Sequence, residues 1–175
     1  MKRDKKNAKL SMTLIRMAGV DQKYRRTASF KHIDKIHTKS LRRIIKQYGW
    51  PTFTMVGKNA AHAAWLLAQH ADHAPRFQAY CLFLLEKAVK AQEADSSDLA
   101  YLTDRVLVNA GKSQVYGTQF YIDATGRLVS RPIRNKQFLN RRRKQVGLGS
   151  FVSYQYRMKQ NQNKLFKIAK RKIKY

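Results

Sequence analysis

The chain has 175 residues, enough for one domain to bury a core without staples, and 43% of them are hydrophobic, which is ordinary for a globular fold. Charge is the abnormal quantity: 37 Lys+Arg stand against 10 Asp+Glu, a formal net charge of +27. A single cysteine, Cys81, excludes an intrachain disulfide, and no apolar run approaches the ~18 residues that cross a bilayer, so a cytoplasmic protein is expected.

The charge is unevenly spread. Residues 1–50 carry 15 basic and 3 acidic side chains, residues 51–130 carry 7 of each, and residues 131–175 carry 15 basic and none acidic. A neutral middle between two cationic ends repels itself in isolation and is relieved by a polyanionic partner.

In chain order, residues 8–26 are expected to be helical, with Leu10, Leu14, Met17 and Tyr24 on one side. The cationic start of this segment has the look of an amphipathic transit peptide, and polar residues interrupt it too often for the apolar stretch of a secretory signal. A second helix over 29–48 steps by three and four through Phe30, Ile33, His37, Leu41, Ile44 and Tyr48, with Ser29 as its cap and Gly49 as its stop. Trp50 and Pro51 force an extended connection. An alanine-rich helix follows from Asn59 to His73, and Pro75 opens a fourth helix to about Gln92 through Phe77, Cys81, Leu84 and Ala88. Ser96 or Ser97 caps a fifth, Leu99 to Ala110, closed by Gly111.

The period then changes from helical to alternating. A β-hairpin is expected near 118–132, turning at Asp123 to Gly126. From Arg134 the chain is polar and basic, and residues 153–174 fit a basic amphipathic helix. The expected architecture is mainly α, with about five core helices and one small hairpin in a domain over 1–150. A separable cationic tail, possibly helical, covers 151–175.

Several blocks resemble an uncharacterised bacterial family of domains of unknown function. They are Leu14 to Arg25 (with Met17, Asp21 and Gln22), Ile33-Asp34, Gly49-Trp50-Pro51, Ala63 to Asp72, Ala100 to Arg105, Gly111 to Phe120 and Arg141 to Leu148. The resemblance covers most of 14–150 and implies a fold unit without an activity. Arg134 and Lys136 stand where the family pattern has acidic residues, and the tail lies outside it.

Four constellations can carry chemistry. Asp34 and His37, three apart on an apolar stripe, suit a carboxylate-oriented general base, or a buried pair that satisfies itself. His62, His70 and His73 share one side of the third helix, but Leu66 occupies the i+4 position after His62, so no metal and no cofactor is expected. Asp104 and Arg105, followed by Tyr116, Thr118 and Gln119, offer a ligand-reading loop of hydroxyls, an amide and a guanidinium, or else a hairpin tying down its own backbone. Arg141, Arg142, Arg143, Lys144, Lys167, Lys170, Arg171 and Lys172, interleaved with aromatics, suit phosphate contact with base stacking.

The leading expectation is a nucleic-acid-associated protein, RNA favoured over DNA, held through its two ends. The alternative is a metal-independent hydrolase or nuclease with His37 and His70 as acid and base, Asp34 and Asp104 as orienters, and the five residues Asp34, His37, His70, Asp104 and Gln119 meeting in one pocket. A membrane-surface binder ranks last, because the final helix has a narrow apolar face without tryptophan.

Overall fold

A computed structural model describes the backbone of residues 2–25, 27 and 29–172 and the side chains of 7–25, 27 and 29–163. The elements are α1 (Lys2–Tyr24), α2 (Phe30–Tyr48), α3 (Phe53–Val56), α4 (Lys58–Gln69), α5 (Pro75–Lys90) and α6 (Ser96–Asn109). There follow β1 (Phe120–Ile122), β2 (Leu128–Ser130), a 3₁₀ turn (Lys136–Phe138), α7 (Leu139–Gln145) and α8 (Phe151–Lys172). The protein is mainly helical with one small hairpin.

The central helix is α4, which packs against α1, α2, α3, α5 and α6. Its alanines are the reason: Ala60, Ala61, Ala63, Ala64 and Ala68 are buried on more than one face and let neighbouring backbones come close. Leu10 and Leu14 of α1, Leu41 and Ile45 of α2, and Phe77, Cys81 and Leu85 of α5 complete the core. Cys81 is fully buried, and burial pushes its thiol up to about 12, so it is a small core residue rather than a nucleophile.

The hairpin pairs Phe120 with Ser130, Tyr121 with Val129 and Ile122 with Leu128. Asp123 Oδ1 accepts the Thr125 and Arg127 amides and so closes its turn. Gly117 has φ +69°, and a Cβ there would lie 2.9 Å from the Phe151 ring, so both backbone and space demand glycine.

Two details differ from expectation. Asp95 caps α6 by accepting from the Ser97 amide at 2.8 Å, instead of Ser96 or Ser97 doing so. Residues 139–145, read as polar and basic, form α7 with Leu139 and Arg143 buried. At the start of α8, Phe151 and Tyr154 are buried: Phe151 stacks on Phe120, Tyr154 meets Tyr101 edge-on, and the Tyr154 hydroxyl donates to Thr118 O at 3.2 Å.

Candidate functional site

Asp21 is the centre of the first polar cluster. Leucine-lined α1 carries it inward to 1% exposure, and no solvent remains to hydrate its carboxylate. The Arg25 guanidinium, just past the end of α1, pairs with Asp21 and reaches across to Asp34 on α2, with Nη2 to Oδ1 at 2.6 Å and Nη1 to Oδ2 at 3.1 Å. His70, the C-cap of α4, brings Nδ1 to 3.0 Å from Asp21 Oδ2, and the Gln22 amide adds a hydrogen bond at 2.8 Å. Burial alone would raise the Asp21 pKa, but the hydrogen bonds and charges of His70 and Arg25 outweigh it and hold the carboxyl below its usual range. The carboxylate therefore fixes the His70 tautomer with the proton on Nδ1, and no protein atom among the described residues bonds Nε2.

His37 is buried beside this cluster, and burial pushes its pKa down so that the ring is neutral near pH 7, against the opposing charges of Asp21 and Asp34. It makes no hydrogen bond with Asp34, so the pairing expected from their spacing is replaced by Arg25 with Asp34. Donor atoms of Asp21, Asp34 and His70 lie within 4.8 Å of one another, a spacing that a metal ion can use. The Arg25 guanidinium bridges both carboxylates and balances one of their two charges, and the His70 N–H shares the other, so the described set is a hydrogen-bonded, partly charge-paired network. Asp21 and Arg25 were missed as site residues; the i, i+4 spacing inside the first quoted block was the available signal.

The second cluster holds Asp104, on α6 and fully buried. Its carboxylate accepts from the amides of Val115 (2.7 Å), Tyr116 (3.0 Å) and Thr118 (2.9 Å) and from the Thr118 hydroxyl (3.0 Å). Burial pushes its pKa up, against these four donors. The Gln119 amide donates to that same hydroxyl and accepts from Arg105 Nη1 at 3.1 Å, while Arg105 pairs with Asp72. Gln114, fully buried, donates to the carbonyls of Gln119 and Arg131 and so ties both strands together. The loop expected to read a ligand spends its polar groups on the hairpin, and only the half-buried Tyr116 side chain makes no hydrogen bond there. Asp34, His37 and His70 are thus brought together around Asp21, whereas Asp104 and Gln119 belong to the hairpin lock. Among the described residues no hydrogen bond joins the two clusters.

The arginine run divides likewise. Arg143 is 1% exposed and donates to Gly149 O (2.7 Å) and Tyr116 O (2.6 Å), with its guanidinium 4.9 Å from the Tyr154 ring centre. Arg142 donates to the carbonyls of Val115, Asn135 and Arg134. These two are internal struts, a correction to their expected role at phosphate. Arg141 and Lys144 are exposed. Lys167, Lys170, Arg171 and Lys172 occupy the last turns of α8, and their side chains lie outside the described residues.

Between β2 and α8 runs a groove of about 750 Å³ lined by Arg127, Arg131, Lys136, Lys159, Gln155 and Gln162, among others, and among the described residues no carboxylate is in its walls. Arg127 is partly neutralised by Asp123 at 3.3 Å; the Arg131 guanidinium stacks 4.5 Å from the exposed Tyr121 ring.

No curated protein and no solved structure gives a match to this chain. A family model does match it, over residues 8–165, beyond both ends of the blocks quoted from the sequence and into most of α8. The chain belongs to that family, a family of unknown function (DUF6624).

Proposed function

We propose that the protein binds a polyanion, single-stranded RNA ahead of DNA, through the groove between β2 and α8 and the cationic ends. The observation that carries this reading is the groove itself: four cationic side chains and three amides line it, and among the described residues no carboxylate does. Amides and guanidiniums hydrogen-bond phosphate and sugar oxygens, while the exposed Tyr121 ring, held against Arg131, offers a face for an unpaired base. The test is fluorescence anisotropy with single-stranded RNA and DNA oligonucleotides over a salt series. Each phosphate contact on a single strand contributes a slope of ~0.7 in log K against log salt, so an Arg131→Gln, Lys159→Gln double variant is expected to lower the slope by about 1.4. A slope equal to that of the unaltered protein refutes the groove as the contact surface.

A second reading, hydrolysis of the bound polymer, is favoured by one observation: His70 has Nδ1 on a buried carboxylate and Nε2 unbonded, the arrangement of a general base. Gel analysis of RNA incubated with the protein and with His70→Ala separates the readings. Products lost in the variant support hydrolysis, and intact RNA with both leaves binding alone.

A further inference from the structure

We propose that the trough between α1 and α2 is a binding site for a small amphipathic anion, with an acyl-chain carboxylate as the chemistry that fits it. This site is separate from the polyanion groove and does not depend on it.

The trough has a volume of about 460 Å³, within the range of small-molecule sites, and Met17, Val20, Ile36 and Ile44 give it an apolar floor. It continues toward the start of α1 as a second hollow of about 490 Å³ beside Ala8 and Met12, the two sharing Thr13 and Arg16. From residue 8 to residue 20 of α1 the combined length is roughly 18 Å at 1.5 Å per residue. Among the described residues no carboxylate lines either hollow, whereas Lys9, Arg16 and Arg43 do. Arg16 on one wall and Arg43 on the other are exposed, and among the described residues neither meets an anionic partner. Met12 and Ile36 stay 71% and 47% exposed along the same trough.

The polar end of the site is His37, which is 7% exposed and lines the trough. Its Nδ1 is buried without a hydrogen-bond partner. An orphaned buried N–H is rarer and costlier than an orphaned lone pair, so the proton is assigned to Nε2, the ring nitrogen that is not sealed off. The ring is held neutral by burial, so it presents a donor to the trough without adding a charge. Ser40, one helical turn on, adds a hydroxyl with no hydrogen bond of its own. Two guanidiniums, an imidazole N–H and a hydroxyl above an apolar floor match a carboxylate head on an apolar tail. A phosphodiester chain satisfies the cations but strands its sugars and phosphates on the apolar floor, which disfavours it.

The probe is decanoate, kept monomeric and titrated into the full chain with ¹³C-labelled histidine at near-neutral pH and physiological salt. The expected result is saturable binding at one site with a shift of the His37 ring signal, the other four histidines unmoved. An Arg16→Gln, Arg43→Gln double variant, both side chains exposed and its fold checked by circular dichroism, is expected to bind decanoate roughly tenfold more weakly or worse. Inorganic phosphate, which carries negative charge without a tail, and decyltrimethylammonium, which carries the same tail under a cationic head, are expected to leave His37 unmoved. The proposal is overturned if phosphate shifts His37 as far as decanoate does, if decanoate leaves it unmoved, or if the double variant keeps full affinity. An RNA oligonucleotide that shifts His37 and displaces decanoate also overturns it, making the trough part of the polyanion surface.

Discussion

Replacing Asp104 by Asn tests whether the hairpin hangs on one carboxylate. Oδ1 keeps the Val115 amide at 2.7 Å and the Tyr116 amide at 3.0 Å, so half the cradle survives. The new NH₂ lands where Oδ2 accepted the Thr118 amide at 2.9 Å and its hydroxyl at 3.0 Å, and donor faces donor at the amide. The hydroxyl can rotate to accept, but the amide cannot. Hydrogen bonds to charged groups contribute about 1.5–3 kcal/mol each, and a buried donor without a partner costs about 1–3 kcal/mol. After partial relaxation we expect a loss of about 3–5 kcal/mol, a large share of the roughly 5–15 kcal/mol that holds a domain folded. Urea unfolding followed by far-UV circular dichroism reads the loss as a lower midpoint at unchanged slope, and amide exchange should quicken first at Thr118. A variant within about 1 kcal/mol of the original, with Thr118 still protected, refutes the account of Asp104 as a structural acceptor.

Two further outcomes follow from the packing and the titrations. Truncation after Ser150 removes the buried rings of Phe151 and Tyr154 and is expected to cost about 3–5 kcal/mol against the full chain; a truncated product as stable as the full chain refutes the place given to Phe151 and Tyr154 in the core. His62 sits 2.9 Å from Asp98, and that hydrogen bond raises its pKa, so its contribution is full below about pH 6.5 and is lost as pH rises through the higher folded value. The melting-temperature difference between the protein and His62→Gln is therefore expected to shrink from about pH 6 to about pH 8.5, and a constant difference removes the pair from the account.

Where apolar residues step by three and four, the elements were legible. Of the stripe read for α2, His37 and Leu41 are buried and Phe30, Ile33, Ile44 and Tyr48 half-buried, while Asp34, Thr38 and Ile45, each one position further along, complete the buried face; Gly49 and Gly111, both at positive φ, end their helices as glycine stops do. The hairpin was legible from its turn, because Asp123 uses its side chain to mimic a backbone acceptor. The cap of α6 was not, since Asp95, Ser96 and Ser97 are all competent and only the geometry of entry selects among them. Helix α7 was illegible for a different reason: its buried positions are Leu139 and Arg143, so the stripe that marks a helix is half arginine.

That arginine explains why charge alone misplaces the candidate surface. Successive residues of a helix are turned by about 100°, so in the run 141–144 some side chains face the hairpin while others face water. Arg142 and Arg143 face inward, and between them satisfy carbonyls of Val115, Tyr116, Arg134, Asn135 and Gly149 in loops that have no strand partner. A planar guanidinium with five donors does this where a point-charged ammonium does not. Arg25 is spent in the same way, between Asp21 and Asp34. The cations left for a partner are those with neither a carbonyl nor a carboxylate in reach, and sequence cannot separate the two kinds because both are written with the same residue. On the proposed reading, a polyanion's phosphates are therefore to be sought at the exposed Arg131, Lys136 and Lys159, and at Arg141 and Lys144 of the run, while Arg142 and Arg143 hold the loops beside the hairpin.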